Sequence, residues 1–443
     1  MNFPRRPVMI VATVVTLLLA ACQVPAAAPG GDTAPGESGE QVELLYMTHN
    51  FEPAADLNDS LIAEFTEMHP NVTIVYDHAP ADSYEQKVLT AYAGGQGPDI
   101  FWAGDWMMPQ FLEQSIVAPV NYSAYGVNSA SEYAELFAPN SLAPFTHEGE
   151  VYTGGLSEYN TFSLLINIDH FEEAGLPLPS TEEPITWEEF ATIAESLAQQ
   201  DANGNVTRNA LVWPFTSGIW TVLILEPLVH QLGGQLIDPE TGRPDFVSEE
   251  MVKTMQYVQD LRFTHNALDP AIYTGLLDDF GNGTTSTIIA GPWAISNLER
   301  INPDLNYMVV PLPKWANGER ITTLYAWAWF VNPNSSPEEQ EWAWRFAEHL
   351  SANAQRWWDD VRYVQARLVE TSTGEAINEY QVSTEPLMPV FLEDYNYGRF
   401  QFRSPHYFEL SDIWTRATTR ILEGEDVMTV LTDAQAAADA AVD

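Results

Sequence analysis

Apolar and polar positions follow a regular order through the first hundred residues. Residues 42–47 form an extended apolar run. Leu57, Leu61, Ile62, Phe65 and Met68 then recur at helical spacing, which predicts an amphipathic helix ended by His69-Pro70-Asn71. Residues 72–76 read as a second strand and 83–93 as a second helix, closed by Gly94-Gly95. Residues 99–103 make a third strand, apolar on both faces as parallel strands are. This βαβαβ order predicts a parallel sheet with helices on its faces.

The pattern changes at 151–168. Residues 156–160 are polar and aromatic, and 162–168 return to an apolar strand. A chain that leaves one sheet here and enters another crosses between two lobes at 156–160. Thr186-Trp187-Glu188-Glu189 spells a capping box, and Phe190, Ile193, Ala194 and Leu197 give the helix behind it a buried face. Asp201-Ala202-Asn203-Gly204-Asn205 has its glycine at the wrong place for a calcium loop and reads as a turn. Residues 247–263 look helical, and 286–290 make a short strand. Residues 307–312 and the alternating run 324–331 suggest further crossings, near 310 and 331. Ser336-Pro337-Glu338-Glu339 opens a capped helix. Trp342, Trp344, Trp357 and Trp358 beyond it read as packing, and two helices fill 411–422 and 427–441.

Candidate chemistry sits at strand ends, where open α/β sheets bind ligands. Gly104-Asp105-Trp106 follows the third strand, which carries Trp102. A carboxylate among indoles offers flat apolar faces and a strong acceptor, the complement of a sugar ring. The alternative is that Trp102 and Trp106 are core and Asp105 caps a helix. Gly291-Pro292-Trp293 repeats the strand-end logic in the second half, with the turn projecting the indole. Trp220 is open between core and cleft. Tyr325, Trp327 and Trp329 share one side of a strand, either a buried sheet face or, at Trp327, a ligand contact.

Composition narrows the classes. The formal charge of −44, with only Lys87, Lys253 and Lys314 as lysines, opposes binding to nucleic acid or anionic lipid. Cys22 is the single cysteine, so no intrachain disulfide or thiolate metal cluster forms. It follows Arg5-Arg6, an apolar run and Leu19-Ala20-Ala21, the arrangement of a bacterial lipobox. Residues 1–21 are then a signal peptide, Cys22 the lipidated N-terminus, and 22–41 a flexible tether rich in Pro, Ala, Gly and Ser. No nucleophile elbow, metalloprotease helix, P-loop or dinucleotide fingerprint occurs, and the nine histidines lack metal-ligand spacing. No catalytic residue, metal or cofactor is expected. Asp105 and Glu158 are the carboxylate pair to test for glycoside hydrolysis.

The chain resembles the extracellular solute-binding lipoproteins of ABC transporters, in the sugar-binding family that includes maltose-binding protein. The resemblance rests on FTEMHPNVTIVY (65–76), GQGPDIFWAGDW (95–106), INIDHFEEAGLPLP (166–179) with TWEEF (186–190), AGPWAISNL (290–298) and MVVPLP (308–313), in shared order. A helix followed by EGE near 411–426 also fits. It implies a two-lobed periplasmic-binding-protein fold, α/β in each lobe, with mainly parallel sheets joined by hinge strands and ligand held between them. The lobe boundaries expected are 42–155 with 311–330, and 156–310 with 331–443. The resemblance implies that Trp102 stacks on sugar, that Asp105 hydrogen-bonds it, and that Trp293, Asn50 and Glu52 line the cleft. A crossing glutamate of the family falls on Asn160, with Glu158 as a substitute two residues earlier, and Trp106 stands where the family has arginine. The expected function is capture of a carbohydrate by a monomer tethered outside the bacterial cell membrane, and delivery to a permease. A polyamine or a glycerol phosphate ester is the alternative ligand, and a secreted glycoside hydrolase the alternative class.

Overall fold

The computed structural model describes residues 41–238 and 241–443. The leader, Cys22 and all but the last residue of the tether lie outside the described residues. The first strand, Val42–His49, lies between Val72–Ala79 and Ile100–Gly104 and runs parallel to both. Helix Glu52–Met68 connects the first two and buries Leu57, Leu61 and Phe65. Met68, expected on that buried face, is 56% exposed because the helix ends there, one residue before His69 caps it.

The sheet is extended by a strand from far along the chain. Thr322–Val331 pairs antiparallel with Ile100–Gly104, Trp329 opposite Trp102 and Trp327 opposite Gly104. Its other edge takes Leu156–Thr161 antiparallel and Gly398–Phe400 parallel. A second sheet holds Tyr307–Val310, Ser163–Asn167, Thr285–Ala290, Val206–Val212 and Gln199–Gln200, in that spatial order.

These pairings place the crossings. Leu156–Thr161 belongs to the first sheet and Ser163–Asn167 to the second, so the chain changes sheet at Phe162. The boundary expected at 156 therefore moves six residues on, because 156–161 finds its ladder partner in Thr322–Val331. Residues 311–321 return the chain to the first sheet. No crossing occurs at 331. Helix Pro337–Ala352 packs on the first strand and on Glu52–Met68, and helix Ala354–Val361 packs on Glu52–Met68. Residues 337–361 thus lie with the first sheet, held by aromatic contacts: Phe346 meets Tyr46 edge-on, and Trp357 meets Trp329. The last crossing follows Gly398–Phe400, since Tyr407–Leu422 packs on helices Gly218–Gln231, Glu249–Phe263 and Val427–Val442.

Local signals act as their chemistry requires. Thr186 with Glu189 and Ser336 with Glu339 form reciprocal capping boxes. Asp201 Oδ1 accepts from the Asn203 and Asn205 amides, so that segment is a turn closed by its own aspartate. Helix Gly218–Gln231 is apolar on every side and carries Pro227 inside. Proline has no N–H for the carbonyl four residues back. That carbonyl, on Leu223, instead accepts from Thr323 Oγ1 on the first-sheet strand. No helix among the described residues is long and apolar enough to cross a membrane.

Candidate functional site

A cavity lies between the ends of the two sheets, with about 160 Å³ in which a water can be centred. The first sheet contributes His49, Asn50 and Phe51 from the end of its first strand, Trp106 from beyond its third, and Glu158, Tyr325 and Trp327 from the paired crossing strands. Tyr363 comes from the turn after helix Ala354–Val361. The second wall is Phe162 at the crossing, Ser217, Ile219, Trp220 and Leu223 at the start of helix Gly218–Gln231, and Trp293 after Thr285–Ala290.

The rings brace one another. Trp293 meets Trp220 at 5.8 Å and Phe51 at 6.3 Å, both edge-on. Trp327 meets Trp106 edge-on at 5.2 Å, and Trp106 stacks on Tyr407 behind it. His49 stacks on Trp102 at 5.0 Å and meets Trp327 at 4.6 Å. Burial holds the His49 imidazole down to a pKa of about 4, so it is neutral at pH 7, and its Nδ1 has no protein partner.

The polar centre is Glu158. Its carboxylate accepts from the Asn160 amide and, at 3.3 Å, from the Tyr325 hydroxyl. Burial pushes its pKa up to about 8 against those two bonds, so the carboxyl carries a proton at neutral pH and can donate. Asn160 is buried behind it, donating also to Tyr325, with Oδ1 unpaired.

Six of the residues expected at the site from sequence therefore line one cavity: Asn50, Trp106, Glu158, Trp220, Trp293 and Trp327. Four do not. Trp102 is fully buried under His49, against the stacked pair of Trp357 and Tyr363. Asp105 is fully buried and used by the fold: Oδ2 accepts from Arg403 at 3.0 Å and Oδ1 from the Ala326 amide at 2.9 Å. Burial lifts its pKa to about 6, with Arg403 opposing. Asn160 is fully buried and does not line the cavity; its amide donates to Glu158. Glu52 is 73% exposed and pairs at 2.8 Å with Arg300 on helix Ala294–Ile301. That pair joins a first-sheet helix to a second-sheet helix at the edge of the cavity.

Sequence reasoning did not select His49, Phe51, Phe162, Ser217, Ile219, Leu223, Tyr325 or Tyr363. Tyr325 was accessible to it, since it shares the strand face of Trp327. Phe162 is marked by the crossing itself. Ile219 and Leu223 carry no signal, because a helix apolar all round does not show which side faces a cleft.

The arrangement suits a neutral ligand with flat apolar faces: ring surfaces on two walls, one protonated carboxyl, an amide, a hydroxyl and an imidazole. Among the described residues, no Lys or Arg side chain lines it.

Comparison with known proteins places this geometry. The maltotriose-binding protein of Pyrococcus abyssi is 21% identical over 377 residues, covering 84% of this chain and 75% of that one. An ABC substrate-binding protein of Listeria monocytogenes, solved in complex with cycloalternan, superimposes with a TM-score of 0.76 at 18% identity, covering 91% of this chain and 99% of its own. An ABC transporter solute-binding protein of Thermotoga lettingae, solved with α-D-tagatose, gives 0.75 at 20% identity, covering 90% and 100%. At these identities the structural likeness is one of fold, the two-lobed α/β architecture with mixed sheets. Residues 52–357 match the family model of the bacterial extracellular solute-binding proteins, and the chain belongs to that family.

Proposed function

We propose that this protein is the substrate-binding component of an ABC importer, capturing a carbohydrate in the cavity between its sheets and delivering it to a membrane permease. One observation carries the reading: Trp106, Trp220, Trp293 and Trp327 converge on a single cavity that also holds a buried carboxyl. Indole faces bury the C–H faces of a sugar ring, while Glu158, Asn50 and Ser217 meet its hydroxyls in a site sheltered from water. The relatives and solved structures named above with maltotriose, cycloalternan and tagatose support the ligand class. Two lobes closing about their crossings would enclose the ligand. Lipidation of Cys22 would hold a monomer at the outer face of the cell membrane, with the tether giving it reach.

Thermal unfolding of the protein against mono- and oligosaccharides, glycerol phosphates and polyamines tests this. A ligand that binds only the folded state, at 100 times its dissociation constant, adds about 2.7 kcal/mol. Stabilisation by a sugar recovered unchanged is the expected result. Stabilisation by polyamines or phosphates alone overturns the ligand, and release of product from a glycan overturns transport.

A further inference from the structure

The cavity is poorer in polar groups than a fully hydroxylated sugar requires. Every hydroxyl brings one donor and two acceptor sites, and each left unpaired on burial carries a cost. Ten of the fourteen lining side chains are aromatic or aliphatic, their polar atoms limited to the hydroxyls of Tyr325 and Tyr363 and the indole N–H groups. The four polar ones are unevenly placed. His49, Asn50 and Glu158 lie on the first-sheet wall, and Ser217 stands alone on the second. Glu158 takes the bonds from Asn160 and Tyr325 on one oxygen, Oε2, which leaves Oε1 as its polar atom for a ligand.

Beside Ser217 the second wall is Phe162, Ile219 and Leu223, with Trp220 stacked on Phe162 at 5.8 Å. Aliphatic side chains give no stacking geometry and no hydrogen bond. They favour a methyl group and reject a hydroxyl. Thr221, between Ile219 and Leu223, spends its hydroxyl on the Ser217 carbonyl, and the Leu223 carbonyl accepts from Thr323.

We infer that the ligand is a neutral sugar carrying a methyl group, as a 6-deoxyhexose does, on the edge that meets Phe162, Ile219 and Leu223. The inference rests on the carbohydrate reading above and narrows it. The hydroxylated edge faces His49, Asn50 and Glu158, and the ring lies against the indoles.

Matched pairs differing by one oxygen test it: L-rhamnose with L-mannose, D-fucose with D-galactose, and 6-deoxy-D-glucose with D-glucose, each titrated calorimetrically as free sugar and as methyl glycoside. In at least one pair the deoxy member should bind about 10–100-fold tighter than its parent, the range open to an apolar pocket judging a single small group. Ile219→Thr, which puts a hydroxyl on this wall and shortens the side chain by one heavy atom at a half-buried position, should narrow that ratio about fivefold or more while leaving the melting temperature within a few degrees. Parents binding as tightly as, or more tightly than, deoxy members in every pair overturns the inference and leaves the carbohydrate reading standing. An unchanged ratio in Ile219→Thr overturns the assignment of the methyl to this wall. Failure of every pair member and every oligosaccharide to bind overturns both readings.

Discussion

Two strand ends look alike in sequence and behave differently in the fold. Gly104-Asp105-Trp106 and Gly291-Pro292-Trp293 each place an indole just past a strand. At the second, the Gly-Pro turn sends Trp293 into the cavity, half-exposed and touching Phe51 across it. At the first, only Trp106 reaches the cavity. Trp102 is roofed by His49, and Asp105 is drawn inward by Arg403 and the Ala326 amide. A strand-end motif therefore marks a location near ligand, and the neighbouring strand decides which of its side chains remain available. Thr322–Val331, which pairs with the strand of the first end and not with Thr285–Ala290, takes up Asp105.

The comparison is sharpened first by deletion at the buried end. Trp102→Ala should cost about 3–5 kcal/mol of unfolding free energy, measured in urea, because it empties a fully buried volume. Asp105→Ala should cost about 3 kcal/mol, since it strands Arg403 and the Ala326 amide together. Unchanged stability in either, with ligand binding abolished, would break the contrast between the two strand ends. Trp293→Ala should do the opposite: affinity for the stabilising sugar falls about tenfold or more, with stability changed by about 1 kcal/mol or less.

Glu158 gives a pH test. Its folded pKa lies near 8, above the ordinary carboxyl value of 4.5. The folded state therefore keeps a proton that the unfolded chain releases. The contribution is full below about 4.5 and is lost as pH rises through about 8. Glu158→Gln should make the fall in stability between pH 5 and 8 shallower by about 1.4 kcal/mol per pH unit. Glu85, buried and also pushed to about 8, imposes a slope of the same sign that this variant leaves in place. A slope equal to wild type would mean that Glu158 is ionised in the fold. The smallest effect is at the rim. Glu52→Gln breaks an exposed pair with Arg300, worth about 1 kcal/mol at most. It should loosen the ligand slightly at low salt, and the difference from wild type should vanish at 1 M salt.

Much of the fold was legible because its signals are local. The βαβαβ opening, both capping boxes and the Asp201 turn depend on residues within a few positions of each other. The crossings were harder. Polar and aromatic character at 156–160 suggested a boundary there, yet the strand finds its partner more than 160 residues away, and the sheet changes at Phe162. The site was half legible for the same reason. Trp293 and Trp106 are announced by glycine beside a strand end. That Asp105 is spent on Arg403, 298 residues distant, is written only in the folded arrangement. Glu52 shows the same limit, since its position after the first strand says nothing of Arg300.

The crowd of indoles in the cavity wall has an optical consequence. Of the 14 tryptophans, Trp106, Trp220, Trp293 and Trp327 border the space a ligand would fill, while Trp187, Trp213, Trp357, Trp358 and Trp414 are sealed in the interior. Indole emission moves to shorter wavelength as water leaves its surroundings. The sealed residues supply a constant blue background, and the half-exposed Trp220, Trp293 and Trp327 supply the red component that occupancy would quench or shift. The protein thus carries an unlabelled reporter of its own filling, readable in a cuvette and in real time, and Trp293 is the emitter whose removal should dim it most.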